Sequence, residues 1–134
     1  MEKFFRKNID SLDGIFQFVT EFLNAETIDE ANSFSINLIF EELFTNMVKY
    51  SPESAEDIRL RIDRENDALV LSLTDFDVEP YDITESHKVD VNQPLSERTP
   101  GGLGIHFVKQ LTESISYEYE NRRSKITLTK RLES

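Results

Sequence analysis

Apolar residues recur along the chain with two different periods, and the changes of period divide it into helices and strands. Ile15, Phe18, Val19, Phe22 and Leu23 stand three or four apart and predict an amphipathic helix. Asp10 or Ser11 is placed to cap it, and its apolar stripe reads as core. A second run extends from about Asn32 to Tyr50, with Asp29 positioned as its cap. Phe34, Ile36, Leu38, Ile39, Phe40, Leu43, Phe44, Met47 and Val48 cover most of its circumference, which predicts a long, largely buried helix. Ser51-Pro52-Glu53-Ser54 ends it, because proline cannot continue a helix. Beyond it the period falls to two. Ile58, Leu60 and Ile62 form one alternating stretch and Leu69, Leu71 and Leu73 the next, joined by the hairpin chemistry of Asp63-Arg64-Glu65-Asn66-Asp67. Glu2 to Ile9 reads as a short edge strand. Two last strands, near Ser114–Glu120 and Ser124–Leu132, are joined by Asn121-Arg122-Arg123. Phe76 to Thr99 is polar, aperiodic and long for a connection, as lids and disordered segments are. After Gly104 a helix is expected to bury Ile105, Val108 and Leu111. This order predicts an α+β fold: a two-layer sandwich with a mixed, mostly antiparallel sheet and helices on one face, forming a single domain over residues 1–134.

Two polar groups interrupt these apolar patterns. Within Phe40-Glu41-Glu42-Leu43-Phe44-Thr45-Asn46-Met47, Glu42 and Asn46 are four residues apart and share a helical face. An unpaired carboxylate or amide costs several kcal/mol to bury, on the order of 2–7 for a neutral group. The pair therefore either holds a water or a hard cation such as magnesium, or forms an exposed strip, or has Glu42 bound to Lys49. The second group is glycine. Gly101, Gly102 and Gly104 are three of only four glycines in the chain, and they lie where a loop passes into a helix. Glycine there lets backbone N–H groups approach an anion at the positive end of the helix. A tight turn with a closely packed helix start is the other reading of the same residues.

Taken together, in this order and about fifty residues apart, the two stretches resemble the Bergerat-type ATPase domain. That family includes histidine kinases, gyrase-type topoisomerases and the small anti-sigma-factor serine kinases, which are similar over nearly the whole of this chain. The resemblance implies ATP as the bound nucleotide and Mg²⁺ as its ion. It makes Glu42 the general base and Asn46 the magnesium ligand, with Lys49 one turn further on, within reach of a phosphate or serving as a C-terminal helix cation. Asp75 matches the aspartate that accepts a hydrogen bond from the adenine amino group. Gly101-Gly102-Leu103-Gly104 matches the second glycine box, whose amides wrap the phosphates, with Arg98 and Thr99 just before it. Ser124 falls where the family has a threonine near the adenine. Asp77 departs from the pattern, since glycine is usual two residues after the adenine aspartate. Its charge would narrow the pocket or repel phosphate, although aspartate tolerates unusual backbone angles better than most residues.

The formal charge of −11, from 15 basic and 26 acidic residues, provides no basic patch and argues against direct nucleic-acid or membrane binding. No cysteine is present, so disulfides, thiol chemistry and zinc–thiolate sites are excluded. The N-terminus lacks the apolar core of a signal peptide and no apolar run is long enough to span a membrane, so a cytoplasmic location is expected, without the sensor and membrane segments of a complete histidine kinase. His87 and His106 have no companions for a metal or phospho-acceptor site. The resemblance implies a regulatory serine/threonine protein kinase that phosphorylates a small antagonist protein and alternately binds a sigma factor or similar regulator, as a homodimer. The rival readings are a non-catalytic interaction module on the same fold, motivated by Asp77, and the detached catalytic part of a histidine kinase.

Overall fold

The computed structural model describes residues 1–50, 56–79 and 108–132. The elements run β1 (Glu2–Phe5), a 3-10 turn (Ile9–Ser11), α1 (Leu12–Ala25), α2 (Glu30–Tyr50), β2 (Ile58–Glu65), β3 (Ala68–Phe76), β4 (Ser114–Glu120) and β5 (Arg123–Arg131). Residues 108–111 are also helical. The five strands form one sheet in the order β1-β2-β3-β5-β4, and all four pairings are antiparallel. This is the two-layer α+β arrangement expected from the changes of period.

The register follows from the alternation of the leucines. Leu71 pairs with Ile62 on one side and Leu128 on the other, while Leu73 pairs with Leu60 and Ile126. Each of these is buried, so one continuous apolar face runs across the three central strands. Both helices cover that face. Ile15, Phe18, Val19, Phe22 and Leu23 of α1 join Ile36, Ile39, Phe40, Leu43, Phe44 and Met47 of α2 in the same core.

The structure revises three local expectations. α2 buries one face rather than most of its circumference: Phe34 is 70% exposed and Leu38 and Val48 are half-buried. Spacing within the apolar set, more than its size, decides which residues meet the sheet. The edge strand stops at Phe5, because Asn8 caps a 3-10 turn by accepting from the Asp10 N–H at 2.8 Å. Ser11 precedes α1 but its hydroxyl donates to the Arg6 carbonyl instead of capping the helix. Asp29 caps α2 as expected. It accepts from the Asn32 side-chain amide at 2.6 Å and from the Asn32 N–H at 3.4 Å, and the first of these bonds does most to hold its carboxyl below the usual pKa. Ile105, which was expected to be buried in the helix after Gly104, lies outside the described residues. Within the part that is described, Val108 is fully buried and Leu111 packs against the core.

Candidate functional site

β3 changes character at its last turn of the pleat. After Leu69, Leu71 and Leu73, the next position on the helix-covered face is Asp75, with only 1% of its side chain exposed. Its cross-strand partner on β5 is Ser124, also buried, which continues the face of Ile126 and Leu128. The Ser124 hydroxyl lies 3.1 Å from the Tyr117 hydroxyl of β4. The apolar face of the sheet thus ends in a buried polar cluster. Asp75 and Ser124, both placed near the adenine by the resemblance, are brought together by strand register.

The cluster contains a cation that the pattern of the sequence did not suggest. Lys7, in the turn after β1, places its Nζ 2.7 Å from Asp75 Oδ1, with 4% of its side chain exposed. Lysine is rarely buried without a charged partner, and no local periodicity marks this one. Tyr117 was more accessible to reasoning: it alternates with Ile115 and Tyr119 along β4, so the strand period places it on the inner face.

On α2, Asn46 is 2% exposed and belongs to the buried face. Its Nδ2 donates to the Glu42 carbonyl at 2.6 Å. Because a carbonyl can only accept, that contact fixes the amide orientation, and it leaves the buried Asn46 Oδ1 without a hydrogen-bond partner among the described residues. Glu42 is half-buried one turn earlier. Partial desolvation, with the neighbouring Glu41 charge second, raises its carboxyl above the ordinary glutamate value. Lys49 is exposed in the last turn of α2.

Asp77 adopts φ +57, the left-handed conformation that favours glycine. Its carboxylate is 66% exposed and paired with Arg122 at 2.9 Å, and the same guanidinium holds Glu79 at 3.0 Å. The hydrogen bond to Asp77, followed by that to Glu79, raises the Arg122 pKa further. The Val78 N–H also donates to the Arg122 carbonyl, and the Tyr119 hydroxyl donates to the Val78 carbonyl at 2.7 Å. The turn after β3 is therefore clamped to the β4–β5 hairpin, and Arg122 faces the charge that Asp77 introduces. Asn121 and Arg122 themselves have positive φ, as a two-residue hairpin turn of type I′ requires. Replacing Asp77 by glycine is expected to change stability by less than about 1 kcal/mol, since relief at positive φ offsets loss of an exposed ion pair. Urea unfolding checks this, and a loss above about 2 kcal/mol would make the Arg122 clamp a main support of the turn.

Arg98, Thr99, Gly101, Gly102, Leu103 and Gly104 lie outside the described residues, as do His87 and His106. Among the described residues no cluster of three or more His, Asp or Glu side chains could enclose a metal ion, and no helix is long and apolar enough to cross a membrane. A magnesium ion shared with phosphates needs no such cage, because it keeps waters and takes few protein ligands. The orphaned Asn46 Oδ1 fits that role.

Comparison with known proteins agrees with this fold. The histidine kinase AdeS of Acinetobacter baumannii has a similar fold, with a TM-score of 0.55 over 100% of this chain and 68% of that chain, at 13% sequence identity. Comparison with curated protein sequences finds no match. The sequence model of the histidine kinase-like ATPase domain matches residues 5–130, nearly the whole length. The chain belongs to the histidine kinase-like ATPase domain family.

Proposed function

We infer that the protein is an ATP-dependent regulatory serine/threonine protein kinase of the anti-sigma-factor type. The observation that carries this reading is Asn46: a buried carbonyl oxygen with no partner among the described residues, held in place by its own amide, one turn from a half-buried carboxylate. Such an oxygen costs free energy unless a ligand engages it. A bound Mg²⁺ would neutralise charge on the β- and γ-phosphates. Glu42 accepts the proton from a serine or threonine hydroxyl of a small partner protein as that oxygen attacks the γ-phosphorus. The new O–P bond forms as the bond to the bridging oxygen breaks and ADP leaves. Burial that raises the basicity of Glu42 suits this role. Asp75 accepts from the exocyclic amine of adenine, with Ser124 beside it. The resemblance assigns phosphate binding to Gly101, Gly102 and Gly104. The partners are an antagonist protein released on phosphorylation and a sigma factor or similar regulator, engaged by a cytoplasmic homodimer.

Calorimetric titration with ATP, with and without Mg²⁺, tests the nucleotide site. Asn46→Ala is expected to remove the magnesium-dependent part of the affinity, about tenfold or more, while the fold persists by circular dichroism. A magnesium effect that survives in Asn46→Ala takes the ion away from that residue. The second reading, an interaction module that does not turn over ATP, is favoured by the cation already buried against Asp75. Absence of binding at millimolar ATP would establish it over the kinase.

A further inference from the structure

The face of the sheet turned away from the helices carries a cluster that the nucleotide site leaves unused. Its centre is Thr74, the residue before Asp75, which the strand period places on that opposite face. Register sets Arg59 of β2 on one side of Thr74 and Lys125 of β5 on the other. Arg123, two residues before Lys125, shares this face and stands opposite Phe76. The three cations line a cavity of about 180 Å³ together with Thr74, Glu118 and Glu120. Clefts for drug-sized ligands measure roughly 300–1,000 Å³, so the occupant of this one is a small group.

Charge and burial both indicate an anion. The chain as a whole is strongly acidic, yet three basic side chains gather around one residue, where they repel unless an anion lies among them. The ordinary reading has them neutralised by solvent and by Glu118 and Glu120, their cross-strand neighbours on β4. However, the ion pairs formed among the described residues include none of Arg59, Arg123 and Lys125. The Arg59 guanidinium instead lies over the Phe76 ring, 5.5 Å from its centroid, which holds it beside the cavity. Thr74 itself is 2% exposed, and its Oγ1 has no hydrogen-bond partner among the described residues. A buried hydroxyl in that state costs free energy until an acceptor reaches it. The cavity that Thr74 lines gives an oxyanion that access.

The number of donors selects the kind of oxyanion. Two guanidiniums, an ammonium and a hydroxyl make four donor groups. A carboxylate offers them two oxygens in one plane, whereas a phosphate group offers three or four arranged tetrahedrally. We propose that this cavity is a phosphate site, taking inorganic phosphate or the phosphate of a small monoester. Arg59, Arg123 and Lys125 supply the charge, and Thr74 donates its hydroxyl hydrogen from the floor. Glu118 and Glu120 border the same cavity and keep the affinity modest. The assignment does not rest on the nucleotide reading, because Thr74 and Asp75 face opposite sides of β3.

The test is titration of the full chain with inorganic phosphate, followed by two-dimensional amide NMR against sodium chloride of matched ionic strength. Saturable shifts at millimolar phosphate are expected for the amides of Arg59, Thr74, Arg123 and Lys125. Thr74→Val, and Arg123→Gln at an exposed position, are each expected to weaken phosphate about tenfold, the worth of a hydrogen bond to a charged group. Acetate should bind at least about tenfold more weakly than phosphate. Phosphoserine identifies the source: matching shifts assign a monoester, and shifts with phosphate alone assign the free ion. The same shifts in chloride, equal binding of acetate, or unchanged phosphate affinity in either folded variant overturns the site. Shifts confined to Glu42 and Asn46 also overturn it, since they place phosphate in the nucleotide site. If Thr74→Val does not fold, Arg123→Gln and acetate still decide.

Discussion

Glu42→Gln is expected to lower phosphoryl transfer to a partner serine or threonine by roughly 10²–10⁴-fold, the usual contribution of a positioned general base. Nucleotide affinity should change by less than about threefold, because the glutamine keeps the shape of the side chain and the Asn46 amide bonds to the backbone carbonyl of Glu42, which the substitution does not touch. Single-turnover transfer from labelled ATP, beside calorimetric titration, separates the two effects. Glu41→Gln is the internal control: Glu41 acts on Glu42 through its charge and is itself only half-buried. Transfer unchanged in Glu42→Gln removes this carboxylate from the chemistry. A loss matched by an equal loss of ATP affinity would make it a binding group instead.

Lys7→Met is expected to destabilise the fold by about 3–5 kcal/mol, because it takes the counter-ion away from the buried Asp75 carboxylate. Against a total of about 5–15 kcal/mol for a domain, that approaches marginal stability. The double substitution Lys7→Met with Asp75→Leu should recover most of the loss, since replacing both charges with apolar groups removes the desolvation problem. Urea unfolding of the single and double variants measures both values. A single-variant cost below about 1 kcal/mol would mean that water reaches the pair and that its burial is not what holds it.

Most of the architecture was legible because it is written in local periods. The leucines of β2 and β3 alternate, α1 repeats at three and four, and Asn66, Asp77 and Asn121 stand at turn positions where a left-handed backbone is needed. The reading of α2 as buried nearly all round failed because composition counts apolar residues without saying which way they face. Phe34 contributes to that count yet lies open to solvent. Ser11 stands at the N-cap position of α1, but its hydroxyl bonds the Arg6 carbonyl instead of the helix, because a serine hydroxyl has several backbone groups within reach and sequence does not rank them.

The site divides in the same way. Glu42 and Asn46 could be paired from sequence, since four residues on a helix fix a common face. The backbone need at Asp77 was readable as well, through its place two residues after Asp75 and the tolerance of aspartate for positive φ. The orphaned oxygen of Asn46 was not readable, because it follows from packing against the sheet. Nor were Lys7 against Asp75, Ser124 beside Asp75, or Arg122 against Asp77 and Glu79. These pairings join segments far apart in the chain. The amino-acid sequence alone determined which segments become helix and strand and which polar residues stand among apolar ones, because those follow from neighbours within one or two turns. Only the tertiary structure decided which charges meet and which polar atoms are left without a partner among the described residues, because strand register and helix packing set those distances and removed the water that would have screened them.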